Sequence, residues 1–122
     1  MRRIAMFIAM ALLGVSGPAM AQIVQTRSGP VRGTAEYGVL AFKGIPYSAA
    51  PVGANRWRAP QPVKAWAKVR NATRYGADCA QAPFPPDSAP IRTKPSEDCL
   101  YLNVWKPAGA RPGAKLAVMV WI

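Results

Sequence analysis

The sequence predicts an α/β fold in which short, turn-rich strands lead to one strand of a different kind. Three observations carry that assignment. Residues 116–122 (Leu-Ala-Val-Met-Val-Trp-Ile) are apolar without interruption, which suits a strand covered on both faces. Residues 23–43 alternate short β-rich segments with Gly and Pro, the pattern of small antiparallel units. Residues 22–122 show no amphipathic helix pattern, so the helices that would cover the last strand are expected from further chain in the intact protein.

The first segment reads as an export signal. Arg2 and Arg3 form a basic start, residues 4–15 are apolar, Gly17-Pro18 breaks the run, and Ala19-Met20-Ala21 is a small-x-small site. That order describes a secretory signal peptide over residues 1–21, cut between Ala21 and Gln22. The apolar run is about 12 residues against the roughly 20 needed to cross a bilayer. An uncleaved anchor is the alternative. No cysteine lies at the cut, which argues against a lipid anchor. The expected location is secreted or periplasmic in a bacterium, with no membrane association after cleavage and residues 22–122 as one folded unit.

The chain of 122 residues carries a net charge of +11, which falls to +9 without Arg2 and Arg3. Its basic residues are scattered, among them Arg27, Arg32, Lys43, Arg56, Arg58, Lys64, Lys68, Arg70 and Arg74. No Lys/Arg run and no nucleic-acid-binding motif accompanies them, so solvated surface charge is expected and nucleic acid is not a partner. Cys79 and Cys99 are the two cysteines. In an exported chain they are expected to pair, closing a loop worth about 3 kcal/mol in the chain-entropy model. Two free buried thiols are the alternative.

The elements follow in order. Residues 23–26 form a short strand candidate. Residues 29–35 and 39–43 read as two strands meeting in a hairpin at Tyr37-Gly38. Residues 44–62 are rich in Pro and Gly, which excludes long ladders and helices. Ile45, Tyr47 and Trp57 are interleaved there, and Trp66 follows. So many large apolar groups predict an ordered loop packed on a body rather than a tether. Residues 80–95 form a second Pro-rich loop within the expected disulfide ring. Residues 100–105 alternate as a strand, residues 108–113 form a small-residue turn, and residues 116–122 are the last strand. Left uncovered, that strand would be an aggregation hazard.

The inventory of reactive groups is short. Histidine is absent, so no Ser-His-Asp relay can be assembled from this chain. No Gly-rich phosphate loop and no Gly-x-Ser-x-Gly nucleophile elbow is present. Metal and cofactor sites are not expected. Glu97 and Asp98 are neighbours whose side chains point to opposite faces of a strand, so a structural ion pair is the expected role. Ser96 suits a turn cap, and Asn71-Ala72-Thr73 matches a glycosylation acceptor that is common by chance.

A resemblance joins these pieces. Gly29-Pro30-Val31-Arg32-Gly33, Gly38-Val39-Leu40-Ala41-Phe42-Lys43-Gly44-Ile45-Pro46-Tyr47, Pro51-Val52-Gly53 and Arg56-Trp57 resemble the opening of type B carboxylesterases. Those enzymes include cholinesterases and para-nitrobenzyl esterases. Trp66, Val69-Arg70, Ala72-Thr73, Tyr75-Gly76 and Cys79-Ala80-Gln81 continue the likeness. Glu97-Asp98-Cys99-Leu100-Tyr101-Leu102-Asn103-Val104-Trp105 resembles the family's second signature. Val118-Met119-Val120-Trp121-Ile122 is similar to the strand that enters the oxyanion-hole loop.

The resemblance implies the N-terminal, β-rich portion of an α/β-hydrolase fold: a small antiparallel region, a disulfide loop and the first strands of the central sheet. It implies that Cys79 and Cys99 form the family's first disulfide near the active-site entrance. It also implies a salt bridge between Arg56 and Glu97 that fixes the N-terminal region to that loop. Trp57 stands where the family usually has Phe, which asks for local repacking. The family's oxyanion loop, nucleophile, acid and histidine have no counterpart in this chain. The expectation is an N-terminal fragment of a secreted serine carboxylic-ester hydrolase, inactive alone, with no catalytic residue, cofactor or metal of its own. Small carboxylic esters would be the intact enzyme's substrates. A non-catalytic, secreted, esterase-like binding module is the alternative, and a truncated reading frame without function is a third possibility.

Overall fold

The computed structural model describes residues 22–82 and 91–122. The export signal expected over residues 1–21 lies outside the described residues, as does Ala21 at its cleavage site.

Among the described residues six strands form two small sheets. In chain order they are β1 (Ile23–Gln25), β2 (Pro30–Arg32), β3 (Thr34–Glu36), β4 (Val39–Pro46), β5 (Arg70–Asn71) and β6 (Tyr101–Pro107). One sheet has the order β1-β2-β5 and the other β3-β4-β6. β1 and β2 are antiparallel, with Val24 opposite Val31. β5 joins β2 in parallel, with Val31 opposite Arg70.

The hairpin turns where the sequence places it. β3 and β4 pair antiparallel from Glu36↔Val39 to Thr34↔Ala41. Tyr37 and Gly38 between them have φ of 50° and 76°. Two positive φ values in a two-residue loop are what match the twist of the flanking strands, and Gly tolerates the second without strain. The single strand expected over residues 29–35 is instead two, divided at Gly33. A Cβ at Gly33 would lie 2.5 Å from the Ala41 carbonyl oxygen and 2.8 Å from the Phe42 ring. This close approach lets the chain cross from one sheet to the other over the hairpin.

β4 is the longest strand and lies between β3 and β6. It pairs antiparallel with β6 from Val39↔Pro107 to Pro46↔Tyr101, with a register shift between Phe42 and Ile45. At that irregularity the Gly44 N–H donates to Asn103 Oδ1 at 2.9 Å. The two sheets are stitched at Ala72, whose N–H donates to Arg32 O at 2.7 Å while its carbonyl accepts from the Lys43 N–H at 2.8 Å.

The core sits at that seam. Val31 and Ala72 are 1% exposed and Leu40 and Phe42 are 4%, with Val24, Ala35, Ile45 and Trp66 packed around them. Trp66 closes one side: its backbone N–H donates to Ser28 O at 2.8 Å, and its indole N–H donates to Pro30 O at 2.9 Å. The Arg70 guanidinium lies 5.1 Å from the ring centroid, a cation–π contact that keeps the charged head at the surface.

The Pro-rich loop over residues 44–62 is held by specific bonds. A single 3₁₀ turn occupies Gly53–Asn55. Buried Ser48 donates through Oγ to Gln61 O at 2.8 Å, and the Ala49 N–H donates to the same carbonyl at 2.9 Å. Not all of its aromatics pack inward. Trp57 follows the 3₁₀ turn at φ 58° and is 98% exposed, and Tyr47 is also exposed.

The clearest departure from expectation is at residues 116–122. They form no strand, and residues 118–122 are between 75% and 113% exposed. An apolar run becomes a strand only when neighbours supply ladder partners for its N–H and C=O groups. Among the described residues this run has none.

Candidate functional site

The residues singled out by sequence converge where β6 begins. Cys79 and Cys99 are bonded to each other with Cα atoms 5.0 Å apart. The parallel bridge Cys79↔Ser96 lies beside that bond, and the Ser96 N–H donates to Asp78 O at 2.9 Å. Ser96 Oγ accepts from the Asp98 N–H at 3.1 Å, a local turn of the kind Ser forms readily. The Cys99 N–H donates to Glu97 O at 3.1 Å and the Tyr101 N–H to Cys99 O at 2.9 Å. These short-range bonds bring the chain from the ring directly into β6.

Arg56 comes from the other Pro-rich loop. It follows the 3₁₀ turn, and its backbone N–H donates to Gly53 O at 3.2 Å. Its Nη2 lies 2.6 Å from Glu97 Oε1, with the two side chains 53% and 48% exposed. A pair this exposed is worth about 0–1 kcal/mol. It orients the two loops more than it stabilises them.

Asp98 bears on Tyr101. Burial pushes the Tyr101 phenol above its ordinary value, and a hydrogen bond with Asp98 adds to the rise. The Tyr101 ring lies against Gly76, so the start of β6 is packed on the segment leading to Cys79. Asn71 is exposed on β5.

Sequence reasoning missed Asp78 and Thr93. Asp78 Oδ2 accepts from the Arg92 N–H at 2.7 Å, the Thr93 N–H at 2.5 Å and the Thr93 hydroxyl at 3.0 Å. These donors, the Thr93 N–H foremost, hold the Asp78 carboxyl below its ordinary value. The position of Asp78 beside Cys79 was a signal, but nothing in the spacing points to Thr93. The contact of Lys43 Nζ with the Tyr75 ring at 5.0 Å was equally silent in the sequence.

The arrangement builds a frame. Ser48 is occupied by its bond to Gln61, Ser96 by its turn, and neither has an imidazole to activate it because the chain contains no histidine. Among the described residues no three His, Cys, Asp or Glu side chains gather as metal ligands.

Residues 20–122 match the model of the carboxylesterase family. The chain is 47% identical over 105 residues to the para-nitrobenzyl esterase of Bacillus subtilis, which covers 83% of this chain and 20% of that protein. It is 41% identical over 111 residues to the cholinesterase of Mus musculus, covering 82% of this chain and 18% of that one. A solved PNB esterase superposes with a TM-score of 0.73 at 44% identity, over 84% of this chain and 21% of the other. A thermophilic PNB esterase gives 0.71 at 44% identity, over 84% and 21%. The chain thus spans about a fifth of the length of the relatives it matches. Its β-rich architecture is a portion of their α/β-hydrolase fold. With the family match running through both sheets, the disulfide ring and the start of β6, this chain belongs to the carboxylesterase family.

Proposed function

We propose that residues 22–122 are the N-terminal part of a secreted serine carboxylic-ester hydrolase, with residues 1–21 as its cleaved export signal. The observation that carries the reading is the family match over residues 20–122, which spans about a fifth of the relatives' length. In the intact enzyme a serine would attack the ester carbonyl, a histidine would take its proton, and backbone N–H groups would stabilise the oxyanion. The acyl-enzyme would then be hydrolysed.

This chain contributes frame to that reaction. The Cys79–Cys99 ring and the Arg56–Glu97 pair hold the entrance-side loops against β6, and β4 and β6 anchor the ring to the core. Nucleophile, acid, histidine and oxyanion loop would come from sequence beyond residues 1–122. Small carboxylic esters are the substrate class.

The test is hydrolysis of para-nitrophenyl butyrate by the intact protein and by the 122-residue chain, with N-terminal sequencing of the exported product. The expected result is turnover by the intact protein, none by the chain alone, and a mature terminus at Gln22. An intact protein that binds esters without cleaving them would overturn the reading in favour of a binding module.

A further inference from the structure

The disulfide is not the sole link across its ring. Asp78 precedes Cys79, yet its side chain is committed to residues 14 and 15 positions away. Oδ2 gathers the N–H groups of Arg92 and Thr93 and the Thr93 hydroxyl. Thr93 answers in kind: its Oγ1 accepts from the Asp78 N–H at 2.7 Å and lies 3.3 Å from Gly76 O. Just beyond, the Asp78 carbonyl accepts from the Ser96 N–H. None of these bonds uses sulfur, and neither Asp78 nor Thr93 belongs to the stretches that carry the family resemblance.

We propose that the Asp78–Thr93 pair is a second, non-covalent closure of the Cys79–Cys99 ring, which keeps the ring's two roots in register when the disulfide is reduced. The two closures act on different states. A disulfide stabilises mainly by restricting the unfolded chain, so cutting it need not move the folded roots. Hydrogen bonds from N–H groups to a carboxylate are among the strong ones and act in the folded state itself.

The charged and titratable groups on the joined segments are Arg74 and Tyr75 on the Asp78 side and Arg92, Lys94, Glu97, Asp98 and Tyr101 on the other. Of these, Arg92 acts on Asp78 by charge and favours its ionised form. The clamp is therefore intact at neutral pH.

This inference does not depend on ester hydrolysis, and its test reads no activity. Hydrogen exchange is followed at the Ser96 amide of the intact protein at neutral pH, before and after reduction of the disulfide verified by mass. The proteins are wild type, Asp78→Ala, Thr93→Val and the double variant Cys79→Ser/Cys99→Ser. Reduction is expected to change Ser96 protection in wild type by no more than about twofold. In Asp78→Ala the same step is expected to lower it by about tenfold or more, because no carboxylate remains to hold the root. Thr93→Val, which keeps both N–H donors, falls between. Equal losses in wild type and Asp78→Ala, or a tenfold loss in wild type, would overturn the proposal. If oxidised Asp78→Ala loses protection in β4 and so fails to fold, the cysteine double variant decides. Retained Ser96 protection there supports the clamp, and lost protection refutes it.

Discussion

The seam around Ala72 and the ring around Cys79 are close neighbours built on opposite principles. At the seam, Val31, Leu40, Phe42 and Ala72 are buried together, and stability comes from apolar area removed from water. At the ring, Cys79 and Glu97 are exposed, and shape comes from cross-links: a disulfide, a carboxylate clamp and an ion pair. The ring can therefore carry many prolines and few large side chains. Where links set the shape, less depends on buried apolar area.

The largest effect is expected at the seam. Phe42→Ala removes a side chain that is 4% exposed and should cost the intact protein about 3–5 kcal/mol in denaturant unfolding. A loss below about 1 kcal/mol would mean that the seam is not a core. Next is the ring: Cys79→Ser with Cys99→Ser opens a 20-residue separation and should cost about 3 kcal/mol. That loss should appear in global stability while amide protection in β4 is unchanged relative to the rest of the protein.

Acid probes the clamp, with Asp78→Ala as the control that isolates it. The Asp78 carboxyl is held below its ordinary value in the folded state, so its contribution is complete above the unfolded value of about 4 and fades as pH falls through the folded one. Protection of the Arg92 and Thr93 amides should therefore drop below about pH 4, and Asp78→Ala should lack that acid step. The smallest effect belongs to Arg56→Ala. An exposed pair should contribute no more than about 1 kcal/mol, and less as salt is added. A larger, salt-insensitive loss would place Arg56 among the core elements.

The same contrast sets how much could be read from the sequence. The hairpin was legible because Tyr37-Gly38 separates two β-rich runs and a two-residue loop needs positive φ. β6 was legible from the alternation over residues 100–105, though it extends to Pro107. The crossing at Gly33 was not, because the need for glycine arises from Phe42 and Ala41 folding over it. Residues 116–122 carry the composition of a buried strand, but composition cannot supply the partners that make one. At the ring, the Cys79–Cys99 pairing was legible from two cysteines in a chain that reads as exported, and the Arg56–Glu97 pair only through the family likeness. Asp78 and Thr93 escaped because a carboxylate clamp between two irregular segments has no period. Trp57 misled, since an aromatic among prolines suggests packing and here it stands in water.

The central claim is that this chain frames an esterase and does none of its chemistry. The most direct test treats the intact protein and the 122-residue chain with a serine-directed phosphonate and maps the labelled peptide. The account predicts one label in the intact protein, on a serine outside residues 1–122, and none on the chain alone. A label on any serine of residues 1–122 would contradict it.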